Sequence, residues 1–307
     1  MIELSNVVKT YAGRRIVDGV SLTVKRGEVC ALIGSSGSGK STTLKMINRL
    51  VEMTSGTIRV GGEDIERLPP EMLRRRIGYV IQSVGLFPHW TVEENIATVP
   101  RLLNWPQPRI AERVRELLGL LRLDAREYAG KYPHQLSGGQ QQRVGVARAL
   151  AADPDILLMD EPFGALDPIT RGEMHAEFAH IHETTKKTIL FVTHDMDEAL
   201  ELADELAVME HGRIVQFGSP RQILDRPATE FVHDLIGMSQ IGLKRLAVQR
   251  VAERMRPGEP APGDAIDASA TLKDALSRMI ERHTDRLAVR DEAGRVAGAI
   301  RLADLVA

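Results

Sequence analysis

The chain has 307 residues, 43% of them apolar and 27% charged, which is typical of an ordinary soluble protein with one large or two modest domains. Its formal net charge of -2 excludes a global attraction to nucleic acid or other polyanions. The single cysteine, Cys30, excludes a disulfide framework, and no segment reads as a signal peptide or a membrane span. We therefore expect a cytoplasmic protein that reaches a membrane only through a partner.

The first 33 residues are predicted to be rich in β-strands. Apolar and polar residues alternate at the N-terminus and again over residues 16–24, and residues 28–33 form a short apolar run typical of a buried parallel strand. Tyr11 lies in the first connection. Its ring either packs on the surface or, in a nucleotide-binding protein, stacks on adenine.

Residues 34–41 read Gly-Ser-Ser-Gly-Ser-Gly-Lys-Ser, the spacing of a phosphate-binding P-loop. Glycines let backbone amides turn toward phosphate oxygens, Lys40 supplies charge for the outer phosphates, and the Ser41 hydroxyl suits Mg²⁺. Leu44, Ile47, Leu50 and Val51 recur at helical spacing, so a helix should follow with its positive end toward the anion. The predicted phosphate-binding residues are Gly34, Ser35, Ser36, Gly37, Ser38, Gly39, Lys40, Ser41 and Thr42.

Another short buried strand is predicted to end just before Gln82. The carboxyl end of a strand is where α/β folds place ligand contacts. A mostly helical stretch follows over about residues 86–150, and the pair Thr91 and Glu94 forms a capping box at one of its helix starts.

The segment Leu-Ser-Gly-Gly-Gln at 136–140 begins a second capped helix. Ser137 and Gln140 form the capping box, and Gly138 and Gly139 leave the first amides open to an approaching anion. Taken alone, this segment indicates only a well-capped helix.

Residues 155–160 predict an apolar strand that ends in two carboxylates, Asp160 and Glu161. One interpretation is a buried strand with a solvated acidic end. With a P-loop upstream, one acid can instead hold Mg²⁺ through water while the other orients the attacking water. Ala-Leu-Asp at 165–167 follows, and His194 ends one more predicted strand, where it is either structural or a ligand contact.

The composition changes after residue 237, and Pro and Gly dominate residues 256–263. We predict a domain boundary near residue 240, with one domain over 1–237 and a second over 238–307.

In this order the motifs resemble the nucleotide-binding subunit of an ABC transporter, because a Leu-Ser-Gly-Gly-Gln segment shortly before an Asp-Glu strand is particular to that class. The resemblance covers about residues 1–237. It implies an α/β P-loop NTPase fold with an N-terminal antiparallel β subdomain and a helical subdomain, followed here by a small α+β domain that resembles a single CBS motif.

The resemblance also implies roles for the motif residues in ATP hydrolysis. Ser41 and Asp160 would organise Mg²⁺, with Gln82 as a further ligand and sensor. Glu161 would polarise the water and His194 would contact the γ-phosphate beside Lys40. Tyr11 would stack on adenine.

The same resemblance implies a dimer of ATPase subunits. Each ATP would lie between the P-loop of one subunit and Ser137, Gly138, Gly139 and Gln140 of the other, and Asp167 would bridge the two. Permease subunits in the membrane and an extracytoplasmic substrate-binding protein would complete an importer, with the ATPase on the cytoplasmic side of the bacterial inner membrane and no nucleic acid involved.

Within importers, residues 80–95 resemble the ATPases of quaternary-amine uptake systems for glycine betaine, choline or carnitine. An importer of another small solute, such as the amino acid methionine, stays open as an alternative, and a soluble ABC ATPase outside transport is a third. In the tail, Arg301 stands where nucleotide-binding CBS motifs usually carry Ser or Thr, three residues before Asp304. Adenine-nucleotide binding by the tail is therefore not expected.

Overall fold

The computed structural model describes residues 1–82, 85–237, 241–261, 263 and 265–305. Internal contacts divide the chain into two compact units, Met1–Gly218 and Ser219–Ala307. Residues 83 and 84, which belong to the stretch that resembles quaternary-amine ATPases, lie outside the described residues, as do residues 238–240 at the predicted domain boundary. The boundary therefore stays a prediction.

The described strands of the first unit are, in chain order, β1 (Ile2–Tyr11), β2 (Arg14–Val24), β3 (Val29–Gly34), β4 (Ser55–Val60), β5 (Glu63–Asp64), β6 (Ile77–Val80), β7 (Ile156–Asp160), β8 (Thr188–Thr193), β9 (Glu205–Glu210) and β10 (Arg213–Gly218). Its described α-helices are α1 (Lys40–Ile47), α2 (Pro70–Arg76), α3 (Val92–Ile96), α4 (Thr98–Leu102), α5 (Gln107–Leu120), α6 (Ala125–Tyr128), α7 (Gly138–Leu150), α8 (Pro168–Thr185) and α9 (Met196–Leu202).

Two sheets build the first unit. One is antiparallel, in the order β2-β1-β4-β5, with Ile2 opposite Val24 on one side and Val60 on the other. The second has the order β10-β9-β3-β8-β7-β6 and is parallel except for the β9–β10 hairpin. Every residue of β3, β7 and β8 is buried, as expected for parallel strands covered on both faces.

The strand order places the motifs at one edge of the parallel sheet. The P-loop follows β3, Asp160 ends β7, His194 follows β8, and Gln82 follows β6 by two residues. Because parallel strands present their carboxyl ends at the same edge, four segments that are distant in sequence meet there.

The helical stretch α3–α7 lies between β6 and β7 in sequence, as predicted. Both capping boxes are present. Thr91 Oγ1 accepts from the amide of Glu94 at 3.2 Å, and Gln140 Oε1 accepts from the amide of Ser137 at 2.9 Å.

The helix after the P-loop is shorter than its apolar spacing predicts. It ends at Ile47, and Arg49 adopts a left-handed conformation with φ 48°. The amide of Arg49 then donates to the carbonyl of Met46, and that of Leu50 donates to the carbonyl of Lys45, which is a Schellman ending. Satisfying these last carbonyls stops the helix, so the prediction that Leu50 and Val51 continue it is wrong.

The second unit contains a small mixed α+β fold. Its described elements are α10 (Pro220–Asp225), α11 (Glu230–Ile236), α12 (Ile241–Val248), β11 (Arg256–Pro257), β12 (Ala265–Asp267), α13 (Leu272–Glu281), β13 (Arg286–Arg290), β14 (Val296–Arg301) and α14 (Leu302–Leu305). The sheet order is β11-β14-β13-β12, and α13 buries Leu272, Ala275 and Met279 at helical spacing.

Candidate active site

The P-loop is held in shape by its own lysine. Lys40 is buried, and its Nζ donates to the carbonyls of Gly34 at 2.8 Å and Ser35 at 2.9 Å. Burial lowers the pKa of Lys40, while the nearby charges of Glu161 and Asp160 oppose that shift. The lysine therefore sits beside two carboxylates in a partly desolvated position suited to an anionic ligand.

Gly39 caps α1 and cannot be replaced without strain. Its φ is 102°, and an added Cβ would lie 2.6 Å from the carbonyl oxygen of Ile16 in β2. Gly37 has a positive φ of 77°, but no atom lies within 4 Å of its Cβ position. A positive φ therefore favours glycine at both positions. At Gly39 the close approach of the Ile16 carbonyl is a second reason.

Asp160 and Ser41 meet at the end of β7. Ser41 Oγ donates to Asp160 Oδ1 at 2.8 Å, and Lys45 Nζ lies 3.7 Å from Asp160 Oδ2. A hydroxyl and a carboxylate are the hard oxygen ligands that Mg²⁺ prefers. A Mg²⁺ ion at this donor pair would take its remaining ligands from water and nucleotide phosphates.

Glu161 lies close to two other predicted site residues, Gln82 and His194. Its Oε2 accepts a hydrogen bond from Gln82 Nε2 at 2.7 Å and lies 3.5 Å from His194 Nδ1. The backbone of Glu161 has φ 47°, a left-handed conformation that is uncommon for residues other than glycine, asparagine and aspartate. Its amide donates to the carbonyl of Val192 in β8, which holds this backbone in place. Such locally strained residues cluster at functional sites.

A cavity of about 270 Å³ lies against the P-loop. The predicted residues that line it are Ser36, Gly37, Gly39, Lys40, Ser41, Thr42, Glu161 and His194, joined by Ile16. Ile16 was missed from the sequence, where it shows only the alternation of a strand. Its carbonyl also lies close to Gly39, so strand β2 contributes to the shape of the site.

The helix start at 137–140 does not line this cavity. Ser137 and Gly138 are exposed, while Gly139 is buried with its Cβ position 2.4 Å from Thr170 Cγ2 in α8. Asp167 caps α8, its Oδ1 accepting from the amides of Ile169 and Thr170 at 3.1 Å. Hydrogen bonds from Thr170 hold the pKa of Asp167 below its usual range.

Tyr11 also lies outside the lining of the cavity. It ends β1 with 47% of its surface exposed, and the ammonium of Lys9 lies 4.6 Å from its ring centroid. The stacking of Tyr11 on adenine therefore stays a prediction.

In the second unit, Asp304 is already engaged by protein groups. Arg256 binds its carboxylate through Nε and Nη2, and the amide of Arg301 donates to Oδ2 at 3.0 Å. The guanidinium of Arg301 in turn pairs with Glu259. These contacts engage both carboxylate oxygens of Asp304 with protein groups, and the expectation that the tail does not bind adenine nucleotides stays a prediction.

The family model of the ABC transporter matches residues 17–164, and that of the CBS domain matches residues 251–307. Over 306 residues, 100% of this chain and 99% of the relative, the chain is 53% identical to the glycine betaine uptake system ATP-binding protein YehX of Escherichia coli (strain K12). The chain belongs to the ABC transporter ATP-binding proteins.

Further comparisons support this ABC ATPase assignment. The chain is 49% identical over 301 residues to the glycine betaine/carnitine/choline transport ATP-binding protein OpuCA of Bacillus subtilis (strain 168), covering 98% of this chain and 78% of the relative. It is also similar to a solved dimeric ATP-binding cassette in a post-hydrolysis state with ADP and Pi, at 34% identity and TM-score 0.64 over 71% of this chain and 98% of that chain.

These findings confirm the predicted fold, the ATPase activity and the CBS domain of this ABC ATPase. Within the described residues, none of the helices combines the length and apolar character required to cross a lipid bilayer.

Proposed function

We propose that this ABC ATPase energises a membrane importer of quaternary-amine osmoprotectants of the glycine betaine, choline and carnitine type. The observation that carries the proposal is similarity over the full chain, C-terminal unit included, to ATP-binding proteins named for uptake of these solutes. The importer of another small solute, such as methionine, is the alternative that the experiment below excludes.

In the proposed mechanism, the P-loop residues from Gly34 to Thr42 bind the phosphates of ATP. Lys40 is already oriented by the loop carbonyls, so its charge needs little rearrangement to meet the outer phosphates. Ser41 and Asp160 would hold Mg²⁺, with the amide oxygen of Gln82 as a further ligand. When bound, the ion neutralises charge on the phosphate oxygens.

Glu161 is proposed to orient and polarise the attacking water. Its carboxylate lies at the edge of the cavity, and its bond to Gln82 and its proximity to His194 fix where it points. His194 is proposed to contact the γ-phosphate. Its side chain is 63% exposed and lines the same cavity, which leaves it free to reach a bound anion.

A second copy of the chain is proposed to complete the site. ABC ATPase subunits of import systems work as dimers with membrane permeases, and the solved relative with ADP and Pi is dimeric. The capped, exposed helix start from Ser137 to Gln140 would supply amides to the ATP of the partner, Asp167 would bridge the subunits, and Tyr11 would stack on adenine. We further propose an extracytoplasmic substrate-binding protein and a peripheral position on the cytoplasmic face of the bacterial inner membrane.

The test is reconstitution of the ATPase with its permease and substrate-binding protein in proteoliposomes. ATP hydrolysis and solute uptake are measured with glycine betaine, choline, carnitine or methionine outside. We expect at least one quaternary amine to stimulate both activities and methionine to stimulate neither. Stimulation by methionine alone would overturn the assignment of solute class while leaving the ATPase intact.

A further inference from the structure

Helices α8 and α9 share a cluster of charged side chains, two of which are buried. His175 of α8 is 7% exposed and Glu198 of α9 is 4% exposed. His175 Nε2 lies 3.8 Å from Glu198 Oε1, and its Nδ1 lies 3.2 Å from Glu201 Oε2. None of the roles proposed above uses this cluster.

The cluster connects directly to the turn that carries His194. Thr193 donates its hydroxyl to Glu198 Oε2 at 2.6 Å, and the same Oγ1 accepts from the amide of Asp195 at 3.0 Å. These two residues flank His194 on either side. Since the His194 side chain is largely exposed, its position depends on the backbone that Thr193 and Glu198 hold.

The other end of the connection is the start of α8. Asp167, the predicted bridge between subunits, caps that helix, and His175 lies two turns further along it. Arg171, one turn before His175, donates to the carbonyl of Leu166 and lies 3.6 Å from Asp195. Helix α8 is thus tied to both the Asp167 loop and the His194 turn.

The charges around His175 favour its cationic form. The groups that face it are Glu198 and Glu201 of α9, Arg171 of its own helix, and the ring of Phe163, whose centroid lies 4.8 Å away. On α7, Arg143 is engaged by Glu173 and Glu177 of α8. Burial lowers the pKa of His175. Its hydrogen bond to Glu201 and its charge attraction to Glu201 and to Glu198, which lies 3.8 Å away, outweigh burial and raise the pKa to about 9.

Loss of the proton would leave the cluster poorly compensated. Three carboxylates, those of Asp195, Glu198 and Glu201, would then share Arg171 as the one cation left in the cluster that these four side chains form with His175. A buried carboxylate that loses its partner is costly, so Glu198 is expected to rearrange toward another partner or toward water. Such a rearrangement alters its bond to Thr193.

We propose that His175, in its cationic form, is a positioning residue that locks helix α8 to the His194 turn and so sets the geometry of ATP hydrolysis. It touches neither nucleotide nor water and acts through Glu198 and Thr193. The inference rests on the proposed roles of His194 and Asp167 and adds a proton-dependent control to the same site.

The experiment measures kcat and KM for ATP between pH 6.5 and 10 in the full chain and in His175→Gln. We expect wild-type kcat to fall as pH rises through about 9. In His175→Gln this alkaline limb should be absent and kcat at pH 7 about ten- to a hundredfold lower, because a small misplacement of a reacting group slows chemistry strongly. KM should change less than twofold, since the P-loop is untouched.

A second variant keeps the test decisive if His175→Gln folds poorly. Glu201 is 57% exposed, so Glu201→Gln should fold normally while removing one partner of the imidazolium. Its alkaline limb should move to lower pH by about one unit. The proposal is overturned if the alkaline fall of kcat occurs at the same pH in Glu201→Gln as in the wild type. It is also overturned if His175→Gln keeps both the wild-type kcat and the wild-type alkaline fall. Absence of hydrolysis in the wild-type chain would instead count against the proposed function.

Discussion

The buried imidazolium of His175 predicts a loss of stability at alkaline pH. Its pKa is about 9 in the folded chain against an ordinary value of 6.5. A group with a raised folded pKa stabilises fully below its unfolded pKa, and that contribution disappears as pH rises through the folded pKa. The stabilisation is therefore lost between pH 6.5 and about 9. The difference between the folded and unfolded pKa values of His175 corresponds to about 3 kcal/mol of unfolding free energy.

Tryptophan fluorescence can follow this loss in the relevant unit. Both tryptophans of the chain, Trp90 and Trp105, lie in the first unit with His175. Urea unfolding of wild type and of His175→Gln is measured at intervals from pH 6 to 10. The wild-type midpoint should fall more steeply across the window, and the two curves should converge above pH 9.

Other groups contribute a background that the comparison removes. Burial raises the pKa of Cys30, so this thiol ionises first in the unfolded chain and weakens folding at high pH in both proteins. Only the difference between wild type and His175→Gln reports the histidine. Parallel curves from pH 6 to 10 would refute the reasoning, because they would mean that the proton on His175 has no preference for the folded state.

Three further outcomes are expected. Glu161→Gln should lower kcat about 10²- to 10⁴-fold while ATP binding and nucleotide-dependent dimerisation persist. The control Glu112→Gln, on an exposed face of α5, should leave turnover unchanged. Normal turnover in Glu161→Gln would contradict the proposed role of Glu161. Gly39→Ala should lose more than about 2 kcal/mol of stability in urea unfolding and much ATP affinity, because the added Cβ clashes with a carbonyl 2.6 Å away and the φ is positive. Gly37→Ala has only the strain of the positive φ and should lose about 1 kcal/mol. Equal losses in the two variants would argue against the close contact at Gly39. Asp304→Asn should destabilise the C-terminal unit by about 1–2 kcal/mol in a thermal scan, because it weakens the pairing with Arg256. Nucleotide binding by the chain, measured by equilibrium dialysis, should not change. Loss of a second nucleotide site in this variant would contradict the expectation that the tail binds no adenine nucleotide.

The motifs that were predictable from the sequence are mostly local. The P-loop depends on glycines and a lysine within eight consecutive residues, and each capping box on two side chains three residues apart. Hydrogen bonds at such short range form in nearly any tertiary setting, so pattern and structure agree there. The first helix is the exception, because its Schellman ending overrides the apolar spacing that continues past it.

The sequence by itself determined which chemical groups this ABC ATPase carries and at which strand ends they stand. Only the tertiary structure decided which of them meet. Gln82 and Glu161 are 79 residues apart yet hydrogen-bonded, Ile16 closes the cavity from a different sheet, and His175 faces Glu198 across two helices. The reason is that strand order and helix packing set these distances, and the left-handed backbone of Glu161 depends on β8 holding its amide.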